Sequence, residues 1–390
     1  MKRPVSLAIV VSHPIQHYVP VYRELAKNKN IRLKVFYVAE NGAFESFDPQ
    51  FGRKIKWDVP LTEGYNFTFL EPGKILNSFG FRAVDSTNIS EQLKNFEPDV
   101  IWINGYGQLV NWRALFASRF GARVVYTADS NIVDPRGRVK KFFKRFVVAN
   151  FLRFCDHCLS YSPRGRLYLE YYGVEAQRIF DTKFPVDINR LEHQLNQLDE
   201  GTTEKLRSEL GFGSDHKILL FAGKLVQHKR PQDVVRVIEK LRDRRISALF
   251  LGSGEMESGL RVMVDELGLS DRIKFVGFVN QSELANYFQL SNVFVFPSER
   301  EPYGAVASEV LPFGLPIIAA DNIGCIGASI IEGVNGLLYE CGDIDKLAEQ
   351  VERLFLDPGM YSAFSKASRE MARSHDKSTM ADCIATICTE

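Results

Sequence analysis

Short apolar segments that alternate with amphipathic ones constrain the fold of this chain more than any other feature. The first segment, Val5–Val11, is almost wholly apolar and rich in β-branched residues, which is typical of a strand buried on both faces of a parallel sheet. Residues 19–26 have helical spacing, and residues 33–38 form a second strand-like run. This order predicts a βαβ unit and an α/β fold.

The alternation continues along the chain and restarts after residues 185–215, which are rich in polar residues and glycine. We therefore predict two doubly wound, Rossmann-like domains, residues 1–188 and 189–365, and a C-terminal helical tail, residues 366–390. The tail has a break near His375 and Asp376, and one arrangement for it is a return to the first domain. The other predicted strands are residues 100–103, 123–127, 218–222, 248–251, 273–275 and 293–296, and the other helices are residues 111–119, 233–242 and 281–290.

Charge and cysteine content narrow the class of protein. The net charge is +1, which argues against a nucleic-acid partner. Residues 1–187 hold 27 Lys and Arg against 18 Asp and Glu (+9), so the remaining 22 against 30 give residues 188–390 a charge of −8. Six cysteines without a regular spacing indicate a reducing compartment, and no run reaches the roughly 18 to 20 apolar residues that cross a bilayer. The expected location is the cytoplasm.

Candidate binding loops follow the predicted strands of the second domain, because ligands of such sheets bind beyond the carboxyl ends of the strands. The loop after residues 218–222 begins with Gly223 and carries Lys224, Lys229 and Arg230, which suit a diphosphate. A solvated basic turn is the alternative. The next loop contains Gly252, but a lone Gly-x-Gly is a weak signal and a structural turn is the favoured interpretation.

The third loop carries Glu301 and runs into a predicted helix, residues 305–311, on which Glu309 lies two turns further along the same flank. Backbone N–H groups and the helix dipole at this point suit phosphate or sugar oxygens. The eight-residue spacing itself decides little, because the Glu pairs 63/71, 192/200 and 332/340 share it. What distinguishes the pair 301/309 is its position after a buried strand and before a glycine-ended helix and a further strand.

With these motifs in order, the second domain resembles family 4 (group 1) of the nucleotide-sugar glycosyltransferases. The resemblance is carried by residues 301–309, 314–319 and 223–229, and more weakly by residues 277–279, 333–338 and 185–187. It implies the GT-B fold, in which two Rossmann-like domains face each other across a cleft.

The resemblance also implies roles for individual residues. Glu301 would bind hydroxyls of the donor sugar, Glu309 the ribose hydroxyls, and Lys224 and Lys229 the diphosphate, whose charge grows as the glycosidic bond breaks. The remaining expected donor contacts are Gly223, Gly252, Phe278, Val279, Tyr303, Gly304, Ala305 and Val306.

The expected function is retaining transfer of a sugar from a nucleotide-diphosphate donor to a glycan or glycolipid hydroxyl, in building a cell-surface polysaccharide or glycolipid. UDP is the first expectation for the nucleotide and GDP the second, with no metal or other cofactor required. The alternatives are another GT-B activity, such as an epimerase or a hydrolase, and a degenerate binding protein of a glycan-assembly complex.

The first domain departs from the family pattern. It offers two candidate catalytic residues, His13 and Asp129, each of which follows a predicted strand. His13 could contact donor or acceptor, or could cap the following turn. Asp129 could orient the acceptor or the forming oxocarbenium ion, or could be an ordinary helix N-cap.

Residues 136–153 hold seven cations and no acid, and their aromatic and Val side chains recur at helical spacing. Such a helix could lie on an anionic membrane surface, which would place the protein at the inner face of the membrane. The alternative is a domain helix whose Phe side faces the core.

Overall fold

The computed structural model describes residues 3–48, 51–131 and 138–390, with the backbone alone at residue 120 and residues 138–143. The chain divides into two compact units. Unit 1 comprises residues 3–47, 54–186 and 376–390 of the described chain, and unit 2 comprises residues 48–53 and 187–375.

Unit 1 is built on a parallel sheet in which, within the described residues, seven strands follow the order β5-β2-β1-β6-β7-β8-β9. In register, Leu7 of β1 lies opposite Leu33 of β2 and Val100 of β6. The strands are β1 (Val5–Val11), β2 (Ile31–Tyr37), β3 (Ser46–Asp48), β4 (Arg53–Ile55), β5 (Phe67–Phe69), β6 (Val100–Asn104), β7 (Arg123–Thr127), β8 (His157–Ser160) and β9 (Ile179–Asp181), of which β3 and β4 form a separate two-stranded sheet.

The helices between these strands are α1 (Val19–Lys27), α2 (Ile89–Phe96), α3 (Leu109–Ala117), α4 (Arg138–Arg153) and α5 (Pro163–Tyr171). Their apolar sides and the sheet form a core that includes Phe36, Ile101, Tyr126 and Phe151, each at most 1% exposed. Because β1 and β6 are neighbours while β2 lies on the other side of β1, the order of the chain reverses there, as in a doubly wound sheet.

Unit 2 repeats this plan with a sheet of the order β12-β11-β10-β13-β14-β15, all parallel. Its strands are β10 (Lys217–Ala222), β11 (Ile246–Leu251), β12 (Ile273–Gly277), β13 (Val293–Phe296), β14 (Ile317–Ala320) and β15 (Gly336–Tyr339). Its helices are α6 (Ile188–Gln197), α7 (Glu200–Glu209), α8 (Pro231–Lys240), α9 (Glu257–Glu266), α10 (Leu284–Leu290), α11 (Val306–Glu309), α12 (Ile344–Leu356) and α13 (Pro358–Ala372). Strands β11, β13 and β14 are buried along their whole length, which explains their continuous apolar sequences, whereas β12 is half-buried beyond Ile273.

The last helix, α14 (Lys377–Thr389), clusters with unit 1 and packs against α1. Arg123, at the start of β7, donates hydrogen bonds of 3.1 and 3.0 Å to the carbonyl oxygens of Ile387 and Cys388. The break predicted near His375 and Asp376 is confirmed, since α13 and α14 are separated by a short 3-10 turn over Arg373–His375. In the described part of the chain, none of the helices has the length and apolarity needed to cross a membrane.

Candidate functional site

The carboxyl ends of β10 and β13 are adjacent at the point where the strand order of unit 2 reverses. In a doubly wound sheet this is where a ligand has access to loops from both directions. The loops that follow are residues 223–230 after β10 and residues 297–305 after β13, and they contain most of the polar residues singled out from the sequence.

Lys229 and Glu301 form an ion pair that joins these two loops. The Lys229 side chain is 19% exposed and that of Glu301 is 13% exposed, so solvent screens their attraction only in part. A backbone hydrogen bond of 2.9 Å from the Glu299 N–H to the His228 carbonyl oxygen holds the loops in register. A cation and a carboxylate are therefore held together in a largely desolvated position at the switch point of the sheet.

The other cations of the first loop have different partners. Lys224 follows Gly223 and pairs with Asp48 at 3.1 Å. Arg230 pairs at 2.7 Å with Asp233, a buried residue in the first turn of α8. All three cations are thus paired with a carboxylate, and Arg230 differs in that its partner is a buried residue only three positions further along the chain.

His228 lies between these cations and contributes no positive charge near neutral pH. Burial lowers its pKa, and the neighbouring Lys229 lowers it further, while Glu301 opposes the shift. The neutral imidazole leaves the positive charge of the loop on the lysines.

Gly252 and Gly254 belong to the loop after β11, where the absence of a side chain allows close backbone packing. A Cβ atom on Gly252 would overlap the carbonyl oxygen of Gly223, and one on Gly254 would overlap that of Leu225. The Gly252 N–H donates to the Gly277 carbonyl oxygen at 2.7 Å. The glycines therefore let the backbones of three successive loops pack directly on one another, in agreement with the structural interpretation.

Buried contacts of Gly304 and Tyr303 position the segment that carries Glu301 and Glu309. Gly304 has a φ of +98°, and a Cβ there would lie 2.6 Å from the Phe296 ring, so only glycine fits. The buried Tyr303 hydroxyl lies 3.0 Å from the Ser329 Oγ. The positive φ of Gly304 and the buried contact of the Tyr303 hydroxyl with Ser329 together position this segment.

The helix predicted over residues 305–311 is wrong in extent. Helix α11 is a single turn, Val306–Glu309, followed by a 3-10 turn over Leu311–Phe313. The reason is local: Pro312 has no backbone N–H, and Gly314 ends the segment with a φ of +68°. Glu309 thus lies at the end of the turn and is buried, and so short a helix adds little dipole to the site.

Burial separates the four Glu pairs that share the eight-residue spacing. Both members of 332/340 are exposed, and the pairs 63/71 and 192/200 each contain one exposed member. In the pair 301/309 one side chain is buried and the other largely so. Context, rather than spacing, therefore identifies this pair.

The remaining predicted donor contacts lie in the same unit. Phe278 and Val279 directly follow β12, with Val279 buried and Phe278 partly exposed. Ala305 and Val306 are half-buried at the start of α11. The structure thus brings Lys229 to Glu301, places Lys224 with Asp48, and leaves Phe278 at the end of a neighbouring strand.

Unit 1 presents a cluster of aromatic hydroxyls around Asp129. The Tyr18 hydroxyl donates to an Asp129 carboxylate oxygen at 3.3 Å and lies 3.1 Å from the Tyr161 hydroxyl. Burial raises the pKa of Tyr18 well above its ordinary value, and Asp129 and Tyr161 raise it further, so the hydroxyl keeps its proton. The ring of Phe184 packs edge-on against both tyrosines. Asp129 itself is exposed, so its carboxylate can meet a solvent-borne ligand.

Asp129 as a helix N-cap stays an untested alternative, because residues 132–137 lie outside the described residues. His13 lies in the loop after β1, where its Nδ1 is 2.8 Å from the Ser12 Oγ and its ring is 4.9 Å from that of Phe79. The contact with its neighbour in the same loop is compatible with the capping alternative.

Helix α4 corresponds to the basic segment predicted over residues 136–153, of which residues 136 and 137 lie outside the described residues. Val148, Phe151 and Leu152 are buried, whereas Phe146 is 70% exposed. The alternative that the Phe side faces the core thus holds for Phe151 and not for Phe146, and the side chains of Phe142 and Phe143 lie outside the described residues.

The described residues contain no group of three or more His, Cys, Asp or Glu side chains that could hold a metal ion. Sequence reasoning missed Asp48, Tyr161 and Ser329, which contact candidate residues here. Each is distant in sequence from its partner, so periodicity and local motifs carry no signal for it. The short strand pair β3 and β4 could have drawn attention to Asp48, but three-residue strands have no readable pattern.

Comparison with known proteins identifies the family that unit 2 resembles. Residues 202–371 match the family described as Glycosyl transferases group 1. A D-inositol 3-phosphate glycosyltransferase from Mycolicibacterium smegmatis is 30% identical over 210 residues, 51% of this chain and 47% of the relative. An uncharacterized glycosyltransferase from Methanocaldococcus jannaschii is 32% identical over 154 residues, 39% of each chain. The chain thus spans about half or less of the length of these curated relatives.

Solved structures resemble the whole chain. Anabaena Alr3699/HepE in complex with UDP and glucose has a TM-score of 0.74 at 16% identity and covers 99% of both chains. WaaG, a glycosyltransferase involved in lipopolysaccharide biosynthesis, has a TM-score of 0.69 at 14% identity, covering 98% of this chain and 99% of its own. The predicted GT-B fold and the predicted resemblance to the group 1 family are confirmed.

Proposed function

We propose that this chain, whose residues 202–371 match the family described as Glycosyl transferases group 1, transfers a sugar from a nucleotide-diphosphate donor to a hydroxyl acceptor with retention at the anomeric carbon. The observation that carries the proposal is the Lys229–Glu301 ion pair at the switch point of the unit 2 sheet. One partner is suited to a phosphate and the other to sugar hydroxyls, and the backbone hydrogen bond from Glu299 to His228 joins the two loops that carry them.

The donor is bound by unit 2. Lys224 and Lys229 neutralise the diphosphate, and Glu301 accepts hydrogen bonds from hydroxyls of the transferred sugar. Glu309 accepts from the ribose, while the backbone of residues 303–306 contacts the donor and residues 277–279 line the base. When donor binds, the ammonium of Lys229 exchanges part of its contact with Glu301 for the diphosphate, and the Glu301 carboxylate accepts hydrogen bonds from the sugar hydroxyls.

The chemical step is a front-face substitution. The bond from the anomeric carbon to the diphosphate oxygen breaks, and its electron pair stays with the nucleoside diphosphate. The acceptor oxygen forms its new bond on the same face of the carbon and loses its proton to a phosphate oxygen of the donor. Lys224 and Lys229 stabilise the charge that develops on the leaving group, so no metal is required. Asp129 and His13 of unit 1 orient the acceptor.

UDP is the proposed nucleotide and GDP the second choice. The support is that Alr3699/HepE was solved in complex with UDP and with UDP-glucose. A glycan or glycolipid of the cell surface is the proposed acceptor, supported by the involvement of the structurally similar WaaG in lipopolysaccharide biosynthesis. The proposed location is the cytoplasm, at the inner face of the membrane through α4, where Arg145 and Phe146 are both exposed.

A thermal-shift panel of nucleotide sugars tests the donor, because a ligand that binds only the folded chain raises the melting temperature by mass action. UDP-sugars should raise it most, and GDP-sugars should follow. Product analysis of the stabilising donor, with and without a hydroxyl acceptor, tests the reaction. Turnover without acceptor would indicate an epimerase or a hydrolase, and stabilisation without turnover under either condition would indicate a degenerate binding protein.

A further inference from the structure

A short segment from the first third of the chain lies on the donor loops of unit 2. We define the strap as Asp48, Phe51, Gly52 and Arg53, which cluster with unit 2 although they precede it in sequence by more than a hundred residues. The strap contacts the loop after β10 through Lys224, the loop after β11 through Ser253 and the loop after β12 through Phe278. These are three of the loops to which donor contacts are assigned.

The contact with Lys224 is ionic. Its Nζ donates to both carboxylate oxygens of Asp48, at 3.1 and 3.3 Å, and lies 4.7 Å from the centre of the Phe51 ring. The side chains of Lys224 and Asp48 are 26% and 32% exposed, so water and ligands can reach the pair. The ammonium is engaged by a carboxylate where a diphosphate would have to bind.

The rest of the strap is held by weaker contacts. Phe51 packs edge-on against Phe278 with 5.3 Å between ring centres, and the Arg53 guanidinium lies 5.5 Å from the same ring. The Ser253 Oγ donates to the Phe51 carbonyl oxygen at 3.0 Å. Phe51, Gly52 and Arg53 of the strap line an open pocket of about 540 Å³ together with residues 253–255 and Glu257. Among the described residues, the contacts that dock the strap include the Asp48–Lys224 ion pair, the hydrogen bond from Ser253 and the aromatic contacts of Phe278.

We propose that Asp48 is a built-in competitor for the donor diphosphate, holding Lys224 in the donor-free protein and releasing it when donor binds. The inference rests on the proposed function and deepens it. A carboxylate oxygen and a phosphate oxygen offer an ammonium the same kind of acceptor, but the diphosphate carries more charge and can displace the single carboxylate. An ion pair as exposed as this one contributes about twofold to fivefold to an equilibrium, so it tunes donor affinity without preventing binding.

The competitor also acts on selectivity. An anion that reaches Lys224 alone gains about what Asp48 already provides, whereas a diphosphate that reaches both Lys224 and Lys229 gains from two cations. The strap therefore favours nucleoside diphosphates over anions that contact Lys224 alone.

Calorimetric titration of UDP into the full chain tests the inference. Asp48→Asn should bind UDP about twofold to fivefold more tightly than the unaltered chain, because Lys224 no longer has to be released. The matched control is Glu255→Gln, which removes one exposed carboxylate from the pocket that Phe51, Gly52 and Arg53 of the strap line, without touching Lys224. Glu255→Gln should change the affinity less than Asp48→Asn does, and an equal gain in both variants overturns the inference by showing a general effect of charge.

A double-mutant cycle gives a second, independent readout. In the Lys224→Met background, Asp48→Asn should no longer tighten UDP binding, since the side chain for which Asp48 competes is gone. The same gain in both backgrounds overturns the inference, as does unchanged affinity of Asp48→Asn in the native background. If neither the unaltered chain nor Asp48→Asn binds UDP or GDP, the proposed function itself fails and the inference fails with it.

Discussion

The carboxyl edges of the two sheets differ in chemistry although their strands are connected in the same order. In unit 2 the edge carries cations paired with carboxylates, Lys224 with Asp48 and Lys229 with Glu301. In unit 1 the edge carries buried tyrosine hydroxyls around Asp129. One topology thus supports two kinds of site, because the loops, rather than the sheet, determine what is bound.

Under the proposed function, this difference gives the two units separate tasks. Paired cations that can exchange one anion for another suit a diphosphate. Aromatic rings with hydroxyls and a single exposed carboxylate suit the apolar faces and hydroxyl groups of a sugar. We therefore expect changes in unit 2 to affect the donor and changes in unit 1 to affect the acceptor.

The largest effect is expected for Glu301→Gln in unit 2. Turnover should fall about 100-fold to 1000-fold, the range seen when one preorganised electrostatic contact is lost, while UDP binding largely survives. Glu332→Gln is the control, since Glu332 is exposed and belongs to a pair with the same spacing. Unchanged turnover in Glu301→Gln, measured with the stabilising donor, would remove Glu301 from the site.

The next effect concerns the stability of the unit 2 loops. Gly252→Ala introduces a Cβ that overlaps the Gly223 carbonyl oxygen at a φ of +131°, so we expect a loss of about 2 to 3 kcal/mol in the free energy of unfolding. Gly259→Ala is the matched control. Gly259 lies in α9 with open space around its Cα, so the same substitution should stabilise the chain by up to about 1 kcal/mol. Denaturant unfolding measures the free energy of unfolding of both variants. If the two substitutions changed it in the same direction, the close packing of the loops at Gly252 would be contradicted.

The smallest effect is expected in unit 1. Asp129→Asn should raise the KM for the acceptor about threefold to tenfold, because the carboxylate that orients it becomes a neutral amide. The dissociation constant for UDP should stay within about twofold, in line with the division between units. Tyr171→Phe, which removes an exposed hydroxyl elsewhere in unit 1, should change neither quantity. If Asp129→Asn weakened UDP binding as much as acceptor binding, the proposed division of tasks would be wrong.

Much of the fold could be predicted from the sequence because the strands are buried on both faces. The bounds of Val5–Val11, Arg123–Thr127 and Val293–Phe296 agree with the prediction to the residue. Strands of three residues, such as Phe67–Phe69, could not be found, since so short a run has no readable alternation.

The residues of the candidate site also fall into those that the sequence predicts and those that only the structure shows. Lys229 and Glu301 could be predicted because each follows a recognisable strand and belongs to a family motif. The pairing of Asp48 with Lys224 could not, since 176 residues separate them and only the folded chain brings them together. Only one member of the Tyr18–Asp129–Tyr161 cluster could be predicted from the sequence. Asp129 follows a predicted strand, whereas the two tyrosines belong to no motif.

Amide hydrogen exchange of the full chain, with and without saturating UDP, tests the central claim most directly, because it locates the nucleotide on one edge or the other. We predict slower exchange in the unit 2 loops at residues 223–230, 252–254, 277–279 and 299–306. The strongest change should occur around Lys229 and Glu301. Slower exchange confined to the unit 1 loops, at residues 12–18 and 128–131, would contradict the assignment of the donor to unit 2.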